Sequence, residues 1–491
     1  MSEYPGLVSP LFDSASVGAG SLAAGAPSFD AYEGGAYITR DNWTWNASVD
    51  GQSTPTLTYA FRATAPGYED SPFIKFNQEQ IDLTKLALQS WADVSNLTFQ
   101  QVNPGGYSDN ATMLFGAYFQ TQSAAAAYAI PPQGPSDRAA SRSAGDVMVN
   151  DSLSYEMHPE MWEYGMQTLT HEIGHALGLN HPGDYNASDG GGPITYETDA
   201  EFREDSRMYT VMSYFEPENT GGDFNGHSAP APLMYDITAI QRLYGANLSF
   251  QTGNTVYGFN SNTNRIWTTA ESADQPLIFC AWDAGGQDTF DFSGYGSNSV
   301  INLANESFSS VGGMKYNVSI SAEVEVDGKV VNVIENAIGG SGNDKITGNG
   351  WNNSLTGGSG NDELSGGDGR DRLTGGDGKD SLKGGAAADV FDFNRLSNSV
   401  VGNADYISDL RSTDRVDLSD IDAKSGGGSN AGDQAFHLGG SAFNHEKGEL
   451  IIRYDSAAGR SYIEGDVNGD GVADFSIAAK GDMRDFDHFV L

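Results

Sequence analysis

The chain is 491 residues long with 38% hydrophobic and 11% aromatic residues, which suits two or three globular domains and excludes a disordered polypeptide. Acidic residues outnumber basic ones 66 to 26, a formal net charge of −40. Such a surface repels nucleic-acid phosphates and anionic membranes and draws cations, so neither nucleic-acid binding nor membrane insertion is expected.

Residues 1–35 are rich in Ser, Ala, Gly and Pro and read as a flexible leader. No basic stretch followed by an apolar one opens the chain, so no N-terminal signal peptide is read there. From 36 to 246 the text is mixed α/β. Thr56-Leu57-Thr58-Tyr59-Ala60-Phe61 alternates as a strand does. Asn77, with Gln80 three residues later, predicts a capping box, after which Ile81, Leu88 and Trp91 share one helical face. Strands are expected near 98–102, 126–130 and 146–150, and a second helix over 160–179. Ala126, Ala127, Tyr128 and Ala129 are candidates for a sheet edge that holds an extended peptide as an added strand. An ordinary inner strand is the alternative.

The second helix carries His171-Glu172-Ile173-Gly174-His175-Ala176-Leu177-Gly178-Leu179-Asn180-His181. Residues i and i+4 leave one helix face a turn apart, so His171 and His175 can bind the same metal. Gly178 lets the chain stop and reverse there, bringing His181 round as a third ligand. Three imidazoles leave the fourth position of a tetrahedral zinc open to water, as catalysis requires. Glu172, beside a ligand, is placed as the general base.

Beyond residue 247 helical periodicity gives way to short strands separated by Gly, Asn and Asp. Cys280, the single cysteine, forms no internal disulfide and is expected as a buried core thiol. A nine-residue repeat then sets in. Its glycine and aspartate positions are Gly339, Gly340, Gly342 and Asp344; Gly357, Gly358, Gly360 and Asp362; Gly366, Gly367, Gly369 and Asp371; Gly375, Gly376, Gly378 and Asp380. Degenerate copies begin at Gly348 and Gly384, the latter supplying Asp389. The eighth position is apolar throughout: Ile346, Leu355, Leu364, Leu373, Leu382 and Phe391. This is the pattern of a calcium-binding parallel β-roll. Glycines turn and expose carbonyls, and the stacked carboxylates repel until Ca²⁺ bridges them. Further on, Asp466-Val467-Asn468-Gly469-Asp470-Gly471 begins like an EF-hand loop, but Ile477 stands where the twelfth position needs Glu. An Asx-rich turn and a calcium site both remain open.

The histidine segment resembles the long zinc motif of the metzincin metalloproteases, and Ser206–Tyr214 resembles the Met-turn that follows it. His181-Pro182-Gly183-Asp184-Tyr185-Asn186, Val211-Met212-Ser213-Tyr214 and Ala239–Asn247, together with the nonapeptide roll, are similar to the serralysin family of bacterial proteases. Astacins share the tyrosine but rely on disulfides, and matrixin latency uses a propeptide cysteine, whereas Cys280 lies downstream. The resemblance implies an α+β fold: a metzincin-type protease domain over 36–246, then an all-β calcium-binding roll domain over 247–491. Residues 1–35 become a propeptide. It implies that Met212 floors the three imidazoles and that Tyr214 is a switchable zinc ligand that stabilises the tetrahedral intermediate. A calcium site joining the domains maps onto Gln251, Gly253, Thr255, Asp283, Gly285 and Asp288; ordinary turn chemistry is the alternative there. Phe486–Leu491 resembles the C-terminal export signal read by an ABC-type (type I) secretion apparatus, which implies an extracellular protein. Extended protein substrates, a small proteinaceous inhibitor and a monomeric state are further expectations. The competing readings are a calcium-dependent adhesion protein with a vestigial zinc motif and a zinc hydrolase of non-peptide substrates.

Overall fold

The computed structural model describes residues 26–46, 55–69, 71–121, 125–132, 134, 143–186, 192–326, 328–424 and 434–491. In chain order the first half forms α1 (Ala31–Tyr37), β1 (Thr56–Phe61), β2 (Phe73–Ile74), α2 (Gln78–Val94), β3 (Thr98–Gln101), β4 (Met113–Tyr118), β5 (Ala127–Ala129), β6 (Asp146–Asn150), α3 (Ser154–Met157), α4 (Tyr164–Leu177), α5 (Tyr196–Asp199) and α6 (Met234–Tyr244). Asn77 and Gln80 form the expected capping box, each side chain accepting the other's backbone N–H. The helix expected over 160–179 is shorter at both ends. Trp162 takes φ 63° and Glu163 is extended, so no helical turn forms before Tyr164. At the other end Gly178 takes φ 108° and its amide donates back to His175 O at 2.9 Å. That left-handed cap is the one a glycine accepts without strain.

The sheet runs β3-β1-β4-β6-β5, with β2 paired to β4. β1, β3, β4 and β6 are parallel, and β5 closes one edge antiparallel to β6. The helix α2 packs on α4, where Trp91 Nε1 donates to Thr170 O at 3.1 Å. Residues 26–35, expected within the leader, are folded against this domain. Phe29 stacks on Phe202 at 4.6 Å, and Ser28 Oγ and the Phe29 N–H both donate to the buried carboxylate of Glu204. The helix α1 then lies so close to α6 that a Cβ on Gly34 would collide with the Tyr235 ring.

In the second half, successive repeat units alternate between two parallel sheets. Asn336–Ile338, Ser354–Ser359, Arg372–Asp377, Val390–Asp392 and Arg415–Asp417 lie in one. Lys345–Thr347, Glu363–Gly367, Ser381–Gly385 and Tyr406–Ile407 lie in the other. Leu355 therefore pairs with Leu373, and Leu364 with Leu382. Ile346, Leu355, Leu364, Leu373, Leu382 and Phe391 are all buried between the sheets. At ~2 kcal/mol per buried apolar side chain, these two facing rows support the roll from within. Antiparallel strands Glu449–Asp455, Arg460–Asp466 and Phe475–Lys480 extend the second sheet, and Phe489–Val490 joins the first beside Arg415–Asp417. The chain is thus an α+β domain followed by an all-β roll. Cys280 is buried as expected. Among the described residues no helix is long and apolar enough to cross a membrane.

Candidate metal centre and active-site cleft

His171 and His175 leave α4 on one face, and the Gly178 reversal carries His181 to meet them. His175 Nε2 lies 3.0 Å from His181 Nε2, which lies 3.2 Å from His171 Nε2. Each Nδ1 faces a backbone carbonyl: Val211 O at 2.8 Å, Leu179 O at 2.7 Å and Tyr185 O at 2.8 Å. A carbonyl only accepts, so each Nδ1 carries the proton and each Nε2 presents a lone pair inward. Burial holds all three rings neutral, with His175 pushed down to about 4 and the other two also lowered. Three convergent acceptors at this spacing match a cation bonded to each nitrogen at about 2 Å, the zinc–imidazole distance. The donor set therefore fits zinc.

The floor and walls follow from the next turn of chain. Met212 is fully buried and sits against Gly174, where a Cβ would collide with its sulfur. Asp236, at the start of α6, accepts from Thr210 Oγ1 and from the Val211 and Leu233 N–H groups. It fixes the turn whose Val211 carbonyl orients His171. Asp205 accepts from Tyr185 and Ser213, so it braces both sides of Tyr214. The Tyr214 ring lies 4.5 Å from His181 and 5.9 Å from His171, centroid to centroid. Burial lifts the Glu172 carboxyl to about 8, and its Oε2 has no hydrogen-bond partner among the described residues. A neighbouring dication lowers that value and restores a base. A cleft of about 890 Å³ runs past these groups, lined by Ala126, by Ala127 and Tyr128 of the edge strand β5, and by Tyr164 and Thr168 of α4.

The repeat aspartates are arranged as a ladder. Oδ1 of Asp362, Asp371, Asp380 and Asp389 accepts the N–H of the residue one full turn earlier, at 2.7 to 3.0 Å. Their Oδ2 atoms are buried and unpaired among the described residues. A Cβ on Gly357 would collide with Asp362 Oδ2 and Gly375 O, and one on Gly366 with Asp371 Oδ2 and Gly384 O. Orphaned carboxylate oxygens facing carbonyls across a space that only glycine leaves open are the oxygen-rich surroundings that Ca²⁺ requires. Asp344 differs, since its Oδ2 accepts the Gly340 N–H. At the domain junction Asp283 and Asp288 are buried together and both raised, and Asp288 Oδ2 is likewise unpaired. Asp288 Oδ1 accepts the Thr255 N–H, Asp283 Oδ1 the Gly285 N–H, and the Thr255 hydroxyl donates to Gly253 O. Gln251 takes φ 50° and its side chain turns aside to Thr263 O. Asp466 accepts the N–H groups of Asn468, Gly469 and Gly471, the hydrogen-bond pattern of an Asx-rich turn.

Several residues escaped the sequence reading. Glu335 Oε2 accepts the Asp288 N–H at the junction. Asp405 and Asp414 continue the ladder, taking the N–H of Asp380 and Asp389, and Asp405 Oδ2 is buried and unpaired. They lie 25 rather than 18 residues on, so the nine-residue count misses them. The fragment aspartate–any–apolar, in Asp405/Ile407 and Asp414/Val416, is the signal that survives.

A three-imidazole site that fits zinc, with a buried carboxylate and a buried methionine beside it, on a mostly parallel sheet with an antiparallel edge, defines a zinc metalloendopeptidase. The family model described as "Matrixin" matches residues 51–188, and that described as "Peptidase M10 serralysin C terminal" matches residues 246–491. "Serralysin C" of Dickeya chrysanthemi is 44% identical over 482 residues, covering 96% of this chain and 93% of that protein. "Metalloprotease AprA" of Pseudomonas entomophila is 42% identical over 471 residues, covering 94% and 90%. The chain belongs to the serralysin family.

Proposed function

We propose that this protein is a secreted endopeptidase that cleaves internal bonds of extended protein segments, stabilised by calcium in its second domain. The convergence of three neutral imidazoles, two buried and that of His175 partly so, beside Glu172 in an edge-strand cleft carries the reading. Zinc in that position supplies a Lewis acid and an acidified water. The backbone of Ala127–Ala129 holds the substrate as an added strand, with Ala126 and Tyr128 bordering it. Glu172 takes the proton of the attacking water and returns it to the leaving nitrogen. The Tyr214 hydroxyl donates to the oxygen that becomes negative as the carbonyl turns tetrahedral. Met212 and Gly178 keep the ligands in register. Casein hydrolysis should disappear in Glu172→Ala while one zinc per chain stays bound; retained hydrolysis refutes the assignment.

Calcium at the junction and along the roll follows from the orphaned carboxylate oxygens described above. The roll then stays unfolded in a low-calcium cytoplasm, passes a type I exporter that reads Phe486–Leu491, and folds outside, with part of residues 1–35 removed as a propeptide. Accumulation in the medium that survives deletion of Phe486–Leu491 argues against this route.

A further inference from the structure

The cleft has a charged wall that the zinc chemistry does not use. Among its described lining residues Arg207 is the sole Lys or Arg, and Glu172 the sole carboxylate. Arg207 donates from Nε to Ser213 O at 3.2 Å, from one terminal nitrogen to Glu216 at 2.7 Å and from the other to the Tyr164 hydroxyl at 3.3 Å, and its guanidinium lies over the Tyr164 ring. A guanidinium has five N–H donors; the remaining two have no partner among the described residues. The Arg207 side chain is 11% exposed, whereas its acidic partner Glu216 is 63% exposed. Water screens that pairing and leaves Glu216 free to move aside.

Position follows from the helix. Glu172 passes its proton to the leaving nitrogen, so the residue bearing that nitrogen lies on the Glu172 side of the metal. Thr168 and Tyr164 stand one and two turns before Glu172 on the same face of α4. Arg207 lies against Tyr164. A side chain on the residue after the scissile bond therefore runs along Thr168 and Tyr164 towards the guanidinium.

Resting on the peptidase reading, we propose that Arg207 is a specificity-determining residue: it selects peptides with a carboxylate, Glu above all, immediately after the cleaved bond. A largely buried guanidinium gives a carboxylate a bidentate, charge-assisted partner that an amide cannot replace. The preference runs against the −40 background of the chain, so it is a local effect of this wall.

The test uses the full chain loaded with zinc and calcium. Fluorogenic peptides identical except for Glu, Gln or Lys after the scissile bond are compared by kcat/KM, with cleavage position fixed by mass spectrometry. Glu is expected to exceed Gln about tenfold and Lys by more, with the ratio shrinking in high salt. Arg207→Gln should bring the Glu/Gln ratio to about one. Glu216→Gln, which removes the competing carboxylate and leaves the cleft lining alone, should raise it; this second variant decides if the first does not fold. Equal cleavage of Glu and Gln peptides by the unaltered protein overturns the proposal. So does an Arg207→Gln protein that loses activity on every peptide but keeps the ratio, since Arg207 would then merely support the Ser213 turn. Cleavage of no peptide at all overturns the peptidase reading itself, together with this one.

Discussion

Withdrawing calcium should reverse the sign of the pH dependence of stability. Burial and neighbouring carboxylates lift Asp362 and Asp371 to about 7, Asp380 to about 6 and Asp405 to about 8 in the metal-free fold, from an ordinary 3.8. Folding without calcium therefore takes up protons. The contribution of these groups is fully present below about pH 4 and is lost as pH rises through their folded values. Each proton held by the fold and released by the unfolded chain makes stability fall by about 1.4 kcal/mol per pH unit. Reducing the total for four coupled groups by about two-thirds, for solvent screening, leaves about 2 kcal/mol per pH unit between pH 4 and 6. Bound calcium requires the ionised carboxylates, so with saturating calcium the same groups make stability rise with pH near pH 4, where the unfolded carboxylates still hold protons, and level off above about 5. The assay is thermal unfolding by circular dichroism of the full chain across this range, with EGTA and with millimolar calcium. A calcium-free midpoint that is flat or rises with pH, or a slope unchanged by calcium, refutes the reasoning.

Three further outcomes test other parts of the structure. Gly178→Ala forces a side chain into φ 108° against the Trp43 carbonyl; it should cost about 1–3 kcal/mol and release zinc at lower chelator concentration, read by metal analysis. Gly357→Ala places a methyl on Asp362 Oδ2 and Gly375 O, so isothermal titration should count one calcium fewer while zinc content stays at one. Leu364→Ala opens a void between the two roll sheets at a residue 1% exposed; calcium-saturated unfolding should lose about 2–5 kcal/mol, and a loss under 1 would mean the sheets close over the gap.

Legibility differed by the physics involved. The zinc site was readable because its three ligands and base sit within eleven residues of one helix and one turn, so local geometry settles their meeting. The roll was readable because an exact period of nine ties each aspartate to an apolar residue two positions on. Asp405 and Asp414 broke that period with a longer connection while keeping the same place in the ladder. Asp205 and Asp236 gave no sequence signal, since they act through side-chain contacts fixed only when the Met-turn and α6 pack. The helix began at Tyr164 rather than 160 because Trp162 adopts a left-handed backbone that apolar periodicity does not reveal. Arg207 looked like one residue of a turn; its meaning lies in a contact 43 residues away along the chain.

The two halves of the chain are joined by one core. Ile278, Cys280, Trp282, Phe308, Met314 and Ala322 come from beyond residue 247, yet they share the buried cluster that holds Met212, Ile173 and Trp91. The Phe308 ring meets Tyr209, three residues before Met212, edge-on at 5.0 Å. Arg265 reaches back to pair with Asp93 of α2 through both Nε and a terminal nitrogen, and Glu306 accepts the Ala31 N–H at the start of α1. Interiors are close-packed, so strain on one side of such a cluster is felt on the other. Trp282, which directly precedes the Asp283–Asp288 segment proposed to hold calcium, is fully buried in that core. The three histidines therefore stand on a core whose far side belongs to the second half of the chain, so removal of the calcium proposed at Asp283 and Asp288 is expected to loosen the packing around Met212.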